Sequence, residues 1–261
     1  MEIKLTRQQN IFLAKKNIVE NIYHSAKLEG CNVTFPETYT IYNGMNVSSA
    51  SLDDIQCILN LRNAWKYLLN SIDAPVTVDY LCKLNSFVSQ NESLEWGVLR
   101  NGKVGIGGTD YTPPIPEKEK VEKELSAILT DTNTSIAEKS IIACLWGMKS
   151  QLFWDGNKRT SMLLGNKILI EHGGGILSVR DKDILEFNKL LTAYYNNDSN
   201  FIHAKGFMLK NCIFGIEFEN VKITGDSKSI SLTSHIQKAK KIRRNEKLDS
   251  GDKEKKQRDE R

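Results

Sequence analysis

Gln151-Leu152-Phe153-Trp154-Asp155-Gly156-Asn157-Lys158-Arg159-Thr160 is the stretch whose reading decides this chain. On its N-terminal side Ile141, Ile142, Leu145, Met148 and Leu152 recur at helical spacing, which predicts a helix over about 136–153. On its C-terminal side Leu163, Leu164, Ile168 and Leu169 predict another, starting near Lys158 and ended by Gly173-Gly174-Gly175. Asp155-Gly156-Asn157 therefore joins two apolar helices. The first backbone N–H groups of the second helix have no partner within it, and the helix dipole makes that end electropositive. Gly156 lets a phosphate approach the backbone, and Lys158 and Arg159 bring positive charge to the same place. Asp155 offers a hard oxygen ligand for Mg²⁺ bridging phosphates. From these residues alone two readings stay open: a polar helix–turn–helix link, or a cradle for a nucleotide's phosphate chain and its metal.

Outward from this stretch the pattern is mostly helical. Ile11, Ala14, Ile18, Ile22 and Ala26 predict one amphipathic helix over about 5–29, stopped by Gly30. Residues 31–50, rich in Thr, Asn, Gly and Ser, predict a loop. Ser51 and Thr77 are N-caps for helices over about 52–71 and 78–90, and a further helix spans about 116–130. Residues 96–115, WGVLRNGKVGIGGTDYTPPI, break the pattern. Val98 and Val104 flank Arg100-Asn101-Gly102, which predicts a short β-hairpin followed by an extended Pro-Pro segment. One more helix is expected over about 181–195, and the alternation from Ile213 to Ile223 suggests a small strand pair.

Composition sets the class. The 261 residues are 40% hydrophobic and 26% charged, ordinary for a globular protein with a real core. No apolar run reaches the roughly 18 residues of a membrane span, and no signal-peptide core follows the N-terminus, so a cytoplasmic location is expected. Cys31, Cys57, Cys82, Cys144 and Cys212 are odd in number and widely spaced, which argues against a zinc site or a disulfide framework. The charge is uneven. Residues 235–261 carry 11 basic and 6 acidic side chains, whereas 1–234 carry 25 and 26. A protein-wide nucleic-acid surface is not expected; such contact would run through the basic tail.

The signature segment resembles that of the Fic/Doc (Fido) family, H-x-F-x-[D/E]-G-N-[G/K]-R, with Phe153, Asp155, Gly156, Asn157, Lys158 and Arg159 in register. Two more segments are similar to the family and stand in its order, so the match runs over roughly residues 10–200. Gly97-Val98-Leu99-Arg100 through Val104-Gly105-Ile106-Gly107-Gly108 resembles its target-docking flap, which pins a protein segment by strand addition. Ser25-Ala26-Lys27-Leu28-Glu29-Gly30 resembles its inhibitory motif, [S/T]-x-x-x-E-[G/N]. The resemblance implies an all-α Fic-type bundle with a β-hairpin flap. It also implies transfer of AMP, or another phosphate-containing group, from ATP to a protein hydroxyl. On that resemblance Asp155 holds Mg²⁺, Gly156, Asn157 and Lys158 line the anion hole, and Arg159 contacts phosphate. Ser25 and Glu29 are inhibitory, and Val104, Gly105, Ile106 and Gly107 dock a protein target. The implied organisation is an N-terminal helical region over 1–75, a Fic core over 76–212, a small element over 213–234 and a basic tail over 235–261.

Two departures bear on activity. Gln151 stands where the family keeps the histidine that deprotonates the attacking hydroxyl. An amide has no basic lone pair at neutral pH, and a general base is worth about 10²–10⁴ in rate, or about 3–5 kcal/mol of barrier. Met162 stands where many members carry a second arginine, so Glu29 is expected to pair with Arg159 or another cation. His24, His172, His203 and His235 are the other imidazoles, and none adjoins the signature. The sequence leaves open a weakened nucleotidyltransferase or a Fic-fold pseudoenzyme that binds nucleotide or protein without turnover.

Overall fold

The computed structural model describes residues 4–215, and these are predominantly helical. In chain order they form α1 (Arg7–Lys16), α2 (Ile18–Leu28), α3 (Phe35–Tyr42), α4 (Leu52–Asn70), α5 (Val78–Val88), α6 (Lys118–Thr130), α7 (Ile136–Ser150), α8 (Asn157–Glu171), α9 (Ile184–Asn196) and α10 (Phe201–Asn211). Two short strands, β1 (Ile176–Leu177) and β2 (Ile213–Phe214), pair antiparallel with Ile176 opposite Phe214.

The centre is α8. Nearly every side chain from Asn157 to Ile170 is buried, so this helix is enclosed on all faces rather than amphipathic. Its principal partner is α7, and α1, α4 and α5 pack around it. One apolar cluster runs from Leu13 and Ile22 through Leu61 and Leu84 to Leu163 and Ile168. A second, with Ile141, Leu145, Met162, Phe187 and Met208, fills the space toward α9 and α10. Lys167, fully buried, donates to the Ile72 carbonyl at 2.7 Å and pairs with Glu171 at 2.6 Å, which satisfies its charge inside the bundle.

Several sequence expectations are corrected. The helix expected over 5–29 is two helices that meet at Asn17, whose φ and ψ of −106° and 17° leave helical geometry. The two halves answer to different partners. The α1 end is tied to the chain after α8 by the Leu5 N–H on the Gly173 carbonyl and by reciprocal bonds between the Asn10 amide and Gly175, while α2 packs on α3 and α4. The loop expected over 31–50 contains α3, started by a capping box between Thr34 and Glu37 with Pro36 in its first turn. Helix α10 was not anticipated, although Ala204 and Met208 sit one turn apart on its buried face. Among the described residues Ile213–Phe214 pairs with Ile176–Leu177, which lies upstream. From 216 onward the element expected over 213–234, the basic tail and His235 lie outside the described residues.

The hairpin expected over 96–115 is also absent: no strand pairing occurs there among the described residues. A buried side chain holds the loop instead of a ladder. Arg100, 1% exposed, donates from Nε to the Gln151 carbonyl at 2.6 Å. Its Nη2 reaches the Pro113 and Pro114 carbonyls at 3.2 and 2.6 Å, and its Nη1 the Gly102 carbonyl. The Arg100 N–H adds a bond to Leu152 O at 3.0 Å. Gly102 lies flat against the Trp154 ring, where a Cβ would come within 2.4 Å of the indole. Strand pairing across Asn101-Gly102 gives way to this convergence on one guanidinium.

Candidate functional site

The site is assembled where α7 stops and α8 begins. Gln151 caps α7 in the left-handed region, φ 45° and ψ 58°, which reverses the chain so that Leu152 and Phe153 drop into the core. Asn157 then closes the turn on itself. Its amide donates to the Phe153 carbonyl at 2.8 Å and accepts from the Phe153 N–H at 2.9 Å. Gly156, φ 71°, caps α8, and a Cβ there would meet Ser89 Oγ at 2.3 Å and Val88 Cγ1 at 2.7 Å. This position is closed to other residues by both backbone and space.

Helix α5 clamps the loop from outside. The buried Asn85 amide donates to the Asp155 carbonyl at 3.0 Å and its oxygen accepts from the Gly97 N–H at 3.0 Å. Ser89 adds a second bond to Asp155 O at 2.9 Å. With Arg100 gripping the Gln151 carbonyl from the other side, the loop is fixed at both ends. The sequence reading leaves out Asn85 and Ser89 and places Arg100 only in a turn of the expected flap. The available signal was a polar residue at an apolar position of the α5 pattern, and one buried arginine among glycines.

The charges gather at the N-terminus of α8. Arg159, 5% exposed, bonds Glu92 Oε2 at 2.5 Å and the Val88 carbonyl at 3.1 Å through Nη1. Its Nε lies 3.8 Å from Glu29 Oε1, and its Nη2 lies 3.6 Å from Asp155 Oδ2. Lys158 stands 3.7 Å from Glu29 Oε2 and donates to the Leu28 carbonyl at 3.2 Å. Glu29 therefore faces both cations, the pairing expected once Met162 replaces the second arginine. Met162 itself is in the core beside Cys144. Burial by itself would lower the Arg159 pKa, but Cys57, Glu29 and Glu92 raise it, so the guanidinium is permanently charged. Burial raises the Glu92 pKa, and Arg159 works against that shift. Glu29, Glu92, Asp155 and Arg159 line an open cleft of 480 Å³ with Asp53, Asp54 and Cys57.

Gln151 makes amide contacts only. Its Nε2 donates to the Met148 carbonyl at 2.7 Å and its Oε1 accepts from Asn157 at 3.1 Å. Tyr195 hydrogen-bonds the same side chain, and burial, followed by the negative charge of Glu29, pushes its phenol far above neutral pH. Neither residue can take a proton. His24 is bonded to Ser178 Oγ at 3.1 Å and His172 to the Ile168 carbonyl at 2.9 Å.

A magnesium ion fits Asp155 as one carboxylate in a set completed by phosphate and water. The side chain is 48% exposed at the cleft, and Mg²⁺ commonly takes one or two protein carboxylates and otherwise phosphate oxygens. Among the described residues no group of three or more His, Cys, Asp or Glu side chains is arranged to hold a metal without such help. The flap residues alternate: Val104 and Ile106 are half-buried, Gly105 and Gly107 exposed, as in extended chain. Ser25 lies one turn before Glu29, and its carbonyl accepts the Glu29 N–H at 3.3 Å.

An α-helical bundle whose central helix starts at a fixed D-G-N-K-R turn, with Asp155 and Arg159 on an open cleft and Lys158 and Arg159 facing Glu29, is the arrangement of a Fic fold. Comparison with known proteins agrees. Residues 75–169 match the model of the Fic/DOC family. A protein adenylyltransferase Fic from Nematostella vectensis is 28% identical over 195 residues, covering 70% of this chain and 45% of that protein. One from Drosophila melanogaster is 30% identical over 169 residues, covering 61% of this chain and 34% of that protein. This chain thus spans less than half the length of these curated relatives. Among solved structures, Fic-1 from C. elegans superposes with a TM-score of 0.66 at 19% identity, covering 79% of this chain and 63% of that one. A Fic-domain-containing signaling protein from Bacteroides thetaiotaomicron gives 0.64 at 16% identity, covering 79% and 88%. Residues 75–169 of this chain are thus similar to the Fic/DOC family, and its fold is that of the Fic-domain structures. Its described residues contain no helix long and apolar enough to cross a membrane.

Proposed function

We propose that this protein binds Mg²⁺–ATP at the N-terminus of α8, with Asp155 toward the metal and Gly156, Asn157, Lys158 and Arg159 toward the phosphates. The observation that carries the reading is Glu29. Its carboxylate lies at ion-pair distance from both Lys158 and Arg159, so an anionic group already stands where the helix end and two cations favour an oxyanion. A phosphate must displace it, which makes α2 an inhibitory element with Ser25 and Glu29 at its C-terminal end. The chemistry in keeping with the relatives is AMP transfer from ATP to a protein hydroxyl, the target docking along Val104, Gly105, Ile106 and Gly107. Gln151 deprives that transfer of its base, at a cost of about 10²–10⁴ in rate. The second reading, a nucleotide- or protein-binding module without turnover, is favoured by the same residue. Five unpaired cysteines accord with a reducing, cytoplasmic setting.

The test is calorimetric titration with Mg²⁺–ATP, together with labelled-ATP modification, on wild type, Glu29→Gly and Gln151→His. Binding that tightens in Glu29→Gly, with label only in Gln151→His, is the expected result for an intact scaffold lacking its base. Label in wild type or in Glu29→Gly establishes a working enzyme. No nucleotide binding in any variant overturns the reading.

A further inference from the structure

The Arg159 guanidinium has two unlike edges. Nη1 is fully engaged, by the Val88 carbonyl and by Glu92. Glu92 is itself held, since its other oxygen accepts from Asn60 Nδ2 at 2.9 Å, and the same Asn60 nitrogen reaches the Gln90 carbonyl at 2.8 Å. Asn60 is 1% exposed on α4. The Nε/Nη2 edge differs. Nε is buried without a hydrogen-bond partner among the described residues, and so is the facing Glu29 Oε1. Glu29 and Asp155 approach this edge only to 3.8 and 3.6 Å, near enough for charge and too far for a hydrogen bond. Nε–H and Nη2–H point the same way from a planar fork, the pairing that grips a phosphate or carboxylate with two parallel bonds.

We propose that Glu92, braced by Asn60, is a positioning residue that pins Nη1 of Arg159 and so presents the Nε/Nη2 edge as a preset fork for a phosphate. The assignment rests on Arg159 as a phosphate contact. The geometry divides the labour between two glutamates on one arginine. Glu92 is bonded, braced and supplies the buried counter-charge. Glu29 stands unbonded at the working edge and is the one a phosphate replaces. Without Glu92 the guanidinium can rotate toward Glu29 or Asp155, and two well-aimed charged hydrogen bonds to phosphate are lost or misdirected.

The experiment uses the full chain with Glu29→Gly as parent, so that the working edge is clear. Mg²⁺–ATP and AMP are titrated into the parent, into parent plus Glu92→Ala, and into parent plus Asn60→Ala, one step removed in case Glu92→Ala fails to fold. The Arg159 Nε–H resonance, identified by its loss in Arg159→Lys, is followed by ¹⁵N NMR. Glu92→Ala is expected to weaken ATP about tenfold to a hundredfold, the range for charged hydrogen bonds. AMP, which lacks the two terminal phosphates that the fork is proposed to hold, should change about twofold or less. The Nε–H signal, shifted by ATP in the parent, should no longer respond, and Asn60→Ala should show a smaller loss of the same kind. Unchanged or tighter ATP binding in Glu92→Ala would mean that Glu92 is a bystander or a competitor, and overturns the proposal. Equal losses for ATP and AMP with an undisturbed Nε–H response overturn it too, as does full ATP affinity in Asn60→Ala if Glu92→Ala does not fold. If the parent itself binds no ATP, the phosphate site is wrong, and that failure is read from the parent before any Glu92 variant.

Discussion

Replacing Arg100 by methionine tests whether one buried side chain, rather than a β-ladder, shapes the segment over 97–116. The guanidinium is 1% exposed and donates to four carbonyls, those of Gln151, Gly102, Pro113 and Pro114. A hydrogen bond to a charged group is worth about 1.5–3 kcal/mol, so the gross loss approaches about 6–12 kcal/mol. Two effects cut that figure. The desolvation of the guanidinium is recovered when it is deleted, and loop carbonyls at the edge of the bundle regain water. The expected net loss is about 3–5 kcal/mol, the range for breaking a buried charged contact, a large share of an ordinary stability of about 5–15 kcal/mol. Urea denaturation of wild type and Arg100→Met measures it, and limited proteolysis shows whether the segment opens locally. Because Arg100 also grips the Gln151 carbonyl, the variant should bind Mg²⁺–ATP more weakly. A loss below about 1 kcal/mol, with unchanged m-value and unchanged cleavage between 97 and 116, would refute the reasoning.

Two further predictions concern the same core. Gly156→Ala combines a left-handed backbone, about 1–2 kcal/mol, with a Cβ at 2.3 Å from Ser89 Oγ that forces displacement worth about 1–3 kcal/mol. The melting temperature should fall by about 5–15 °C, and nucleotide binding with it; an unchanged melting curve contradicts the close approach of α5. His24 has its pKa lowered chiefly by burial, with Glu20 and Asp181 raising it and Arg180 lowering it further. The unfolded chain then takes up a proton that the folded chain resists. Stability should decline as pH falls below the ordinary 6.5, and His24→Gln should flatten that part of the profile measured by chemical denaturation between pH 5 and 8 (about the range in which histidine titrates). A slope unaffected by the substitution assigns the effect to other groups.

Local rules made much of this molecule legible. Ser51 and Thr77 cap α4 and α5 as their side chains predict, because a cap is a bond within one turn. The apolar periods over 136–153 and from Lys158 onward locate α7 and α8, since burial repeats every turn. Thr34-x-x-Glu37 carried an equally local signal for α3, masked by the polar composition around it. The break at Asn17 was hidden for a different reason. The periodicity runs straight through it, and only the separate anchoring of α1 and α2 bends the chain.

What the sequence by itself determined is therefore the helical class, the D-G-N-K-R turn and the amide at position 151. Each follows from neighbours in the chain. The tertiary structure alone decided which groups stand around that turn. Asn85 and Ser89 clamp it across about seventy residues of chain. Glu92 rather than Glu29 makes the hydrogen bond to Arg159, and Arg100 replaces an expected hairpin with a buried hub. Contacts of this kind depend on where distant helices bring a polar side chain out of water, and no period or motif along the chain encodes that distance.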